Sequence, residues 1–327
     1  GSAVAISNLG KFTLSDGKIT GNESTASAVY NAGDFTMKGG EISDNAIAQT
    51  SAGMISNGTI FMKSGTFNMT GGKITGNSVK SNGGAFYVVD GIVTIDGKEV
   101  EISNNKAVNT GFNGAPGSGS SCGGAIYMRG GQVKLLQGSV TGNEAYYGSE
   151  SSKKAQLANK YYENGVFVET KELGKNQKGY GLGGAIFVDS GTLTLGNVTI
   201  SGNQSAAGVA NGIVFAEDMI TAVEDAASAV ELSGAVKLDA PIWMATGKHM
   251  TIASALADDM EIEVYQQKDD FNLVENGGSA IAVYKDPQFM NKANDGAKFK
   301  VFNYAADTEA YYEPVNPSAV MRTCSQN

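Results

Sequence analysis

Gly183-Gly184-Ala185-Ile186-Phe187-Val188-Asp189-Ser190-Gly191-Thr192-Leu193-Thr194-Leu195-Gly196-Asn197-Val198-Thr199-Ile200-Ser201-Gly202-Asn203 is the stretch that decides the fold. Its first five residues return as Gly83-Gly84-Ala85-Phe86-Tyr87 and Gly123-Gly124-Ala125-Ile126-Tyr127, with weaker copies of this opening element centred on Ala3, Ala28 and Thr59. Its last four return as a closing element, Ile/Val-Ser/Thr-x-Asn, ending at Asn22, Asn45, Asn77, Asn105 and Asn143. Between the two lies a short alternating segment: Phe12-Thr13-Leu14, Phe35-Thr36-Met37, Phe67-Asn68-Met69, Val93-Thr94-Ile95, Val133-Lys134-Leu135 and Leu193-Thr194-Leu195. Apolar, polar, apolar is the period of a strand with one buried face.

Each repeat thus holds three strand-sized pieces separated by glycine-bearing turns, with no helix between them. Such a unit cannot build a βαβ sheet, whose parallel strands need long crossovers. It can build a parallel β-helix, in which each coil hydrogen-bonds to the next about 4.8 Å away. The composition agrees: 44 glycines among 327 residues suit tight corners, and only 5 prolines suit strands whose N–H groups are nearly all donors. Collagen is excluded, because it needs glycine at every third position together with abundant proline. Asn22, Asn45, Asn77, Asn105, Asn143 and Asn203 should stack at one corner as a ladder of side-chain amides, a structural role. The Asn-x-Ser triplets at Asn22 and Asn203 are therefore discounted as glycosylation acceptors.

The span from opening element to closing Asn is nearly constant, whereas the connection from each Asn to the next opening element varies from 5 to 41 residues. All length variation falls at one corner, and one-sided insertions in solenoids commonly form the recognition surface. The connection over 106–124 contains Phe112 in a Gly- and Ser-rich run and reads as a loop. The connection over 144–184 carries Tyr146, Tyr147, Tyr161, Tyr162 and Tyr180, with a short helix expected over 153–162, ended by Gly165, and a strand at 166–168. Tyrosine offers large rigid contact area with a polar tip, so these residues and Phe112 are the candidate binding surface. The competing reading has the tyrosines covering the insertion's own small core against the wall.

The domain reading is a β-helix over 1–264, with regular coils over 1–210 and degenerate coils over 211–264. Residues 265–327 form a cap or small appended unit that closes the open end. Within the degenerate part, Val230-Glu231-Leu232, Ala235 to Leu238, Ile242-Trp243-Met244, His249 to Ile252 and Glu261 to Val264 read as strands, while 215–230 reads as an irregular helix or insertion.

Paired Gly-Gly-Ala-Ile and apolar-x-x-Asn elements resemble the repeats of the chlamydial polymorphic membrane proteins. More broadly, they resemble the right-handed parallel β-helix surface proteins of bacteria, including pectate-lyase-like domains of gut organisms. The resemblance covers about residues 1 to 210. It implies a right-handed, single-stranded, all-β solenoid and the role of a secreted or cell-surface adhesin. This chain has Ile or Val where that family usually has Phe in the closing element, so no individual functional residue is carried over.

Chemistry is narrowed by scarcity. A net charge of −9 argues against nucleic acid and anionic membrane surfaces, which attract concentrated Lys and Arg. No apolar run is long enough to span a membrane, and no signal-peptide pattern opens the chain. Gly1-Ser2 stands directly against repeat sequence and reads as a trimmed or processed start. The single histidine, His249, excludes multi-histidine zinc sites and reads as a strand residue. Cys122 and Cys324 allow one disulfide at most, with isolated thiols the plainer reading. Two outward columns, Thr13 to Thr194 and Thr20 to Ser201, carry hydroxyls; Asn68 and Lys134 break the first, against an ice-binding face.

A polysaccharide lyase would need converging acids and an Arg or Lys, and only Arg129 and Arg322 are present. An inverting hydrolase would need spaced carboxylates, and the adjacent Asp pairs, Asp258-Asp259 and Asp269-Asp270, lie in the distal region. The expectation is a non-enzymatic, extracellular, monomeric binding protein without cofactor or metal, directed at a host-surface glycan or protein. Polysaccharide cleavage and a passive stalk are the alternatives.

Overall fold

The computed structural model describes residues 4–48, 58–109, 121–147, 162–163, 166–167, 182–205, 211–215, 228–244, 248–267, 281–290, 292–304 and 321–323. The chain is a parallel β-helix. Its short strands pair in parallel with the equivalent strands one coil before and one coil after, and the described residues form ten successive coils. We number the walls 1 to 4 in the order the chain visits them. Coil 1 contributes Ile6–Asn8, Lys11–Leu14, Lys18–Thr20 and Glu23–Ser24 to walls 1 to 4.

The repeat predicts the register residue by residue. In wall 2, Phe12, Phe35, Phe67, Val93, Val133 and Leu193 are successive partners, and the polar Thr13 to Thr194 column lies between them and the next apolar column. In wall 3, Ile19, Ile42, Ile74, Ile102, Val140 and Ile200 do the same. With wall 1 supplying Val29, Ile60, Phe86, Ile126 and Ile186, these columns meet in one continuous core. Each fully buried aliphatic or aromatic side chain contributes about 1.5–3 kcal/mol.

Wall 4 departs from the expected three strands per coil. Two to four residues after each ladder asparagine form a separate six-stranded sheet: Glu23–Ser24, Ala46–Ile47, Ser78–Val79, Lys106–Asn109, Glu144–Tyr147 and Gln204–Ser205. The connections over 106–124 and 144–184 therefore begin as wall strands. Pairs of residues carry no readable alternation, which is why the sequence hides this wall.

The corner between walls 3 and 4 has a common backbone cause. The residue before each ladder asparagine is left-handed in all six coils: Gly21, Gly76, Gly142 and Gly202, plus Asp44 at φ 53° and Asn104 at φ 55°. Asp and Asn are the side chains that tolerate this region best. With the turn so fixed, every asparagine points into the corner. Successive amides donate to the next Oδ1: Asn22 to Asn45 at 2.7 Å, Asn45 to Asn77 at 2.8 Å, Asn77 to Asn105 at 2.9 Å, Asn105 to Asn143 at 3.0 Å and Asn143 to Asn203 at 2.9 Å. The backbone N–H of each rung donates to the same oxygen, and the second amide hydrogen of each rung from Asn45 onward goes to a carbonyl of the preceding coil.

The stack does not stop at residue 264. Ile262–Gln267 pairs in parallel with Phe299–Tyr304, and Ala282–Tyr284 with Met321–Thr323. The segment expected as a cap or small appended unit thus contributes further coils, without glycine corners or asparagine rungs among the described residues. Lys298 Nζ and the Tyr284 hydroxyl both donate to the buried Asp295, at 2.8 and 3.0 Å. The degenerate strands fall close to where the sequence puts them, at Ser228–Gly234, Lys237–Leu238, Ile242–Met244, Met250–Leu256 and Ile262–Gln267. Residues 216–227, where a helix or insertion was expected, lie outside the described residues apart from the flanking strands.

Candidate functional site

In coils 1 to 6 every variable connection leaves wall 4 and returns to wall 1, so the variable corner there opens beside the outer face of wall 1; beyond them the long connections over 216–227, 268–281 and 305–320 join wall 1 to wall 2, against the expected single variable corner. Alternation puts the second residue of each wall 1 strand on that face. Register makes these residues a column: Ser7, Tyr30, Phe61, Tyr87, Tyr127, Phe187, Val214, Trp243 and Tyr265. From Tyr30 to Phe187 the ring centroids are 5.6, 5.8, 5.0 and 5.6 Å apart. Stacked aromatic pairs add about 0.5–1.5 kcal/mol each beyond burial.

The column is not uniformly open. Tyr30, Phe61, Trp243 and Tyr265 are half-buried, whereas Tyr87, Tyr127, Phe187 and Val214 are buried although they point away from the core. Burial peaks in coils 4 to 7, of which coils 4 to 6 are joined by the connections over 106–124 and 144–184. The glycine pair of the opening element lets the chain cross here. Gly123 is left-handed at φ 69°, and a Cβ on Gly124 would lie 2.1 Å from the Gly184 carbonyl oxygen.

A polar cluster sits at the centre. Met128 pairs with Val188 and Arg129 with Ser190, so Asp189 is the extra residue of a bulge. Its carboxylate is 1% exposed and accepts a hydrogen bond from the Tyr127 hydroxyl at 3.1 Å. Burial pushes the Tyr127 hydroxyl well above its ordinary pKa, and neighbouring Asp189, Tyr87 and Cys122 push the same way. Burial also raises Tyr87, against the opposing pull of the Arg129 guanidinium beside it. The Cys122 thiol is pushed up to about 12, chiefly by burial, and its backbone N–H donates to Asn82 Oδ1 at 2.7 Å. At neutral pH these hydroxyls and the thiol are hydrogen-bonding groups, not nucleophiles. Ser121 Oγ is buried beside them without a partner among the described residues.

The residues predicted as a binding surface divide. Tyr146 is buried, 5% exposed, and packs on Val108, its register partner in wall 4, so it belongs to a covered pair and not to an exposed contact surface. Tyr147 ends the strand Glu144–Tyr147, and Tyr162 lies in the strand Tyr162–Glu163, antiparallel to Val166–Phe167. That places Tyr162 in a hairpin strand instead of at the end of a helix. Tyr161, Tyr180, Phe112 and the rest of the expected helix lie outside the described residues.

Cys122 is a free thiol, and Cys324 lies outside the described residues. Asp258 is fully exposed, with Lys298 Nζ 3.9 Å away. Asp269-Asp270 lies outside the described residues, and His249 immediately precedes the strand Met250–Leu256. Among the described residues, no three His, Cys, Asp or Glu side chains converge as a metal site requires.

The column and its cluster were missed in the sequence. The fifth residue of the opening element, Tyr87, Tyr127 or Phe187, is the signal that marks the column. The bulge that buries Asp189 has no marker in one dimension. Comparison with family models, curated proteins and solved structures finds no match for the chain.

Proposed function

We propose that the protein is an extracellular, non-enzymatic binding protein of a bacterial surface, a β-helix scaffold that displays its corner connections to a host glycan or protein. One observation carries this reading: the variable connections of coils 1 to 6 open beside one wall, whose outer face presents the half-buried aromatics Tyr30, Phe61, Trp243 and Tyr265 in register. Aromatic faces suit sugar rings and protein side chains alike, and rigid walls position variable loops at low entropic cost. A glycan array probed with the whole chain tests the reading, alongside a variant in which residues 148–181 are replaced by a short Gly-Ser linker. Wall 4 strand Glu144–Tyr147 and the opening element stay intact in that variant. Binding by the chain, lost in the variant, is expected; equal binding by both overturns the role of the connection, and a blank array favours a passive stalk.

The cluster of Asp189, Tyr127, Tyr87 and Arg129 favours a second reading, cleavage of a polysaccharide, because it gathers an acid and one of the chain's two arginines on an outer wall. Incubation with acidic and neutral polysaccharides, read as new reducing ends or unsaturated products, decides between the two. Products that vanish in Asp189→Asn would replace the binding reading with an enzymatic one.

A further inference from the structure

Coil 1 is built like the interior coils but stacked on one side alone. Among the described residues, its four strands pair only with coil 2. Phe12 lies 4.8 Å from the Phe35 ring and is half-buried, whereas Phe35 and Phe67 are fully buried. Three further features are tuned to a neighbour on the open side. First, Oδ1 of every ladder asparagine from Asn45 to Asn203 accepts two hydrogen bonds from the preceding rung, while Asn22 Oδ1 accepts none among the described residues. Second, the Asn22 amide, with no preceding rung among the described residues, turns its second hydrogen to its own coil at Thr20 O, 3.3 Å away.

Third, Gly10 has no reason to be glycine within the described stack. Its φ is not left-handed, and a Cβ there would meet nothing within 4 Å. At the same corner of coils 2 to 6, a Cβ on Gly33, Gly65, Gly91, Gly131 or Gly191 would lie 2.2–2.7 Å from the carbonyl oxygen of the preceding coil's glycine.

We infer that the open face of coil 1 is a docking face, and that its occupant is one further turn of the same asparagine-rung repeat, laid parallel at the spacing of the stack. An incoming asparagine supplies the amide and backbone N–H that Asn22 Oδ1 lacks. The incoming corner carbonyl takes the position against Gly10 that Gly10 O takes against Gly33. An apolar residue covers the open face of Phe12. The distal coils of a second copy fit less well, because among the described residues the rungs end at Asn203.

The test fuses residues 58–82, a turn bearing the Asn77 rung, ahead of Ala3 of the whole chain, and compares the extended and original proteins. The expected result is a melting temperature raised by about 2 °C or more. Exchange of the outward amides of Ile6–Asn8 and Lys11–Leu14 should slow on the order of tenfold. Gly10→Val should leave the original protein unchanged and cancel both gains in the extended one. An extension that changes neither melting nor exchange overturns the inference. Gly10→Val acting equally in both proteins overturns it too. So does concentration-dependent self-association of the original protein that Leu9→Glu abolishes, since a second copy would then be the occupant of this face.

Discussion

Asn105 donates its side-chain amide to Asn143 Oδ1 at 3.0 Å while its own Oδ1 accepts both the backbone N–H and the amide of Asn77, at 3.2 and 2.9 Å. All three residues are buried, so none of these groups has water as a fallback. Leaving a buried donor or acceptor unpaired costs about 1–3 kcal/mol per group.

Asn105→Ala strands both Asn77 donors and the Ile74 carbonyl that accepts the second amide hydrogen at 2.9 Å. A loss of about 3 kcal/mol or more is expected in urea unfolding, against about 1 kcal/mol for Asn22→Ala, which interrupts the ladder at its exposed start. Equal losses at the two positions would show that the rungs do not act as a connected array.

The left-handed corner gives a paired test. Gly142 has φ 63°, and a Cβ there would lie 2.8 Å from Asn104 Oδ1 in the preceding coil. Gly142→Ala should cost about 1–2 kcal/mol through backbone strain. In an Asn104→Gly background the cost should fall by on the order of 0.5 kcal/mol, because the obstructing amide is gone. A double-mutant cycle by thermal denaturation measures that coupling, and strict additivity would refute the contact.

Acid should loosen wall 3. Glu101 accepts from the Ser103 hydroxyl and pairs with Lys73 Nζ at 2.9 Å, and these donors hold its carboxyl below the ordinary 4.5. A depressed carboxyl contributes stability that is fully present above the unfolded pKa and is lost as pH falls through the folded one. The difference in urea midpoint between the native protein and Glu101→Gln should therefore be constant at neutral pH and shrink only below pH 4.5. A difference that persists undiminished at pH 3 would assign the effect to packing instead.

Cys122 should be silent to thiol reagents in the folded state. With a pKa of about 12, only roughly one thiol in ten thousand is ionised at pH 8, and the residue is buried. In a Cys324→Ser background, labelling should track global unfolding as urea is added. Fast labelling without denaturant would mean that the region over wall 1 opens locally.

The regular coils were legible because two kinds of residue repeat for unavoidable reasons: asparagine, which must meet asparagine at the corner, and glycine, which must meet a carbonyl of the adjacent coil. Walls 2 and 3 follow from alternation in segments such as Leu193-Thr194-Leu195. Wall 4 was not legible, since Ala46–Ile47 or Ser78–Val79 is too short to show a period. The distal coils paired without either marker, and Phe299–Tyr304 was read as part of a cap because its partnership with Ile262–Gln267 rests on register alone. Of the candidate site, Tyr87, Tyr127 and Phe187 stood in the quoted motif, but alternation assigns them to solvent. Their burial at an outward position is encoded by no local pattern. Tyr146 misled for the same reason, an outward position that is covered.

The asparagine ladder also has a polarity. All six carboxamides point the same way, oxygen toward coil 1 and nitrogen toward the distal coils. Peptide-like dipoles of about 3.5 D aligned head to tail sum along an axis as they do in an α-helix. Coils 1 to 6 of the solenoid therefore carry an electrical direction along the stack, with its negative pole at Asn22.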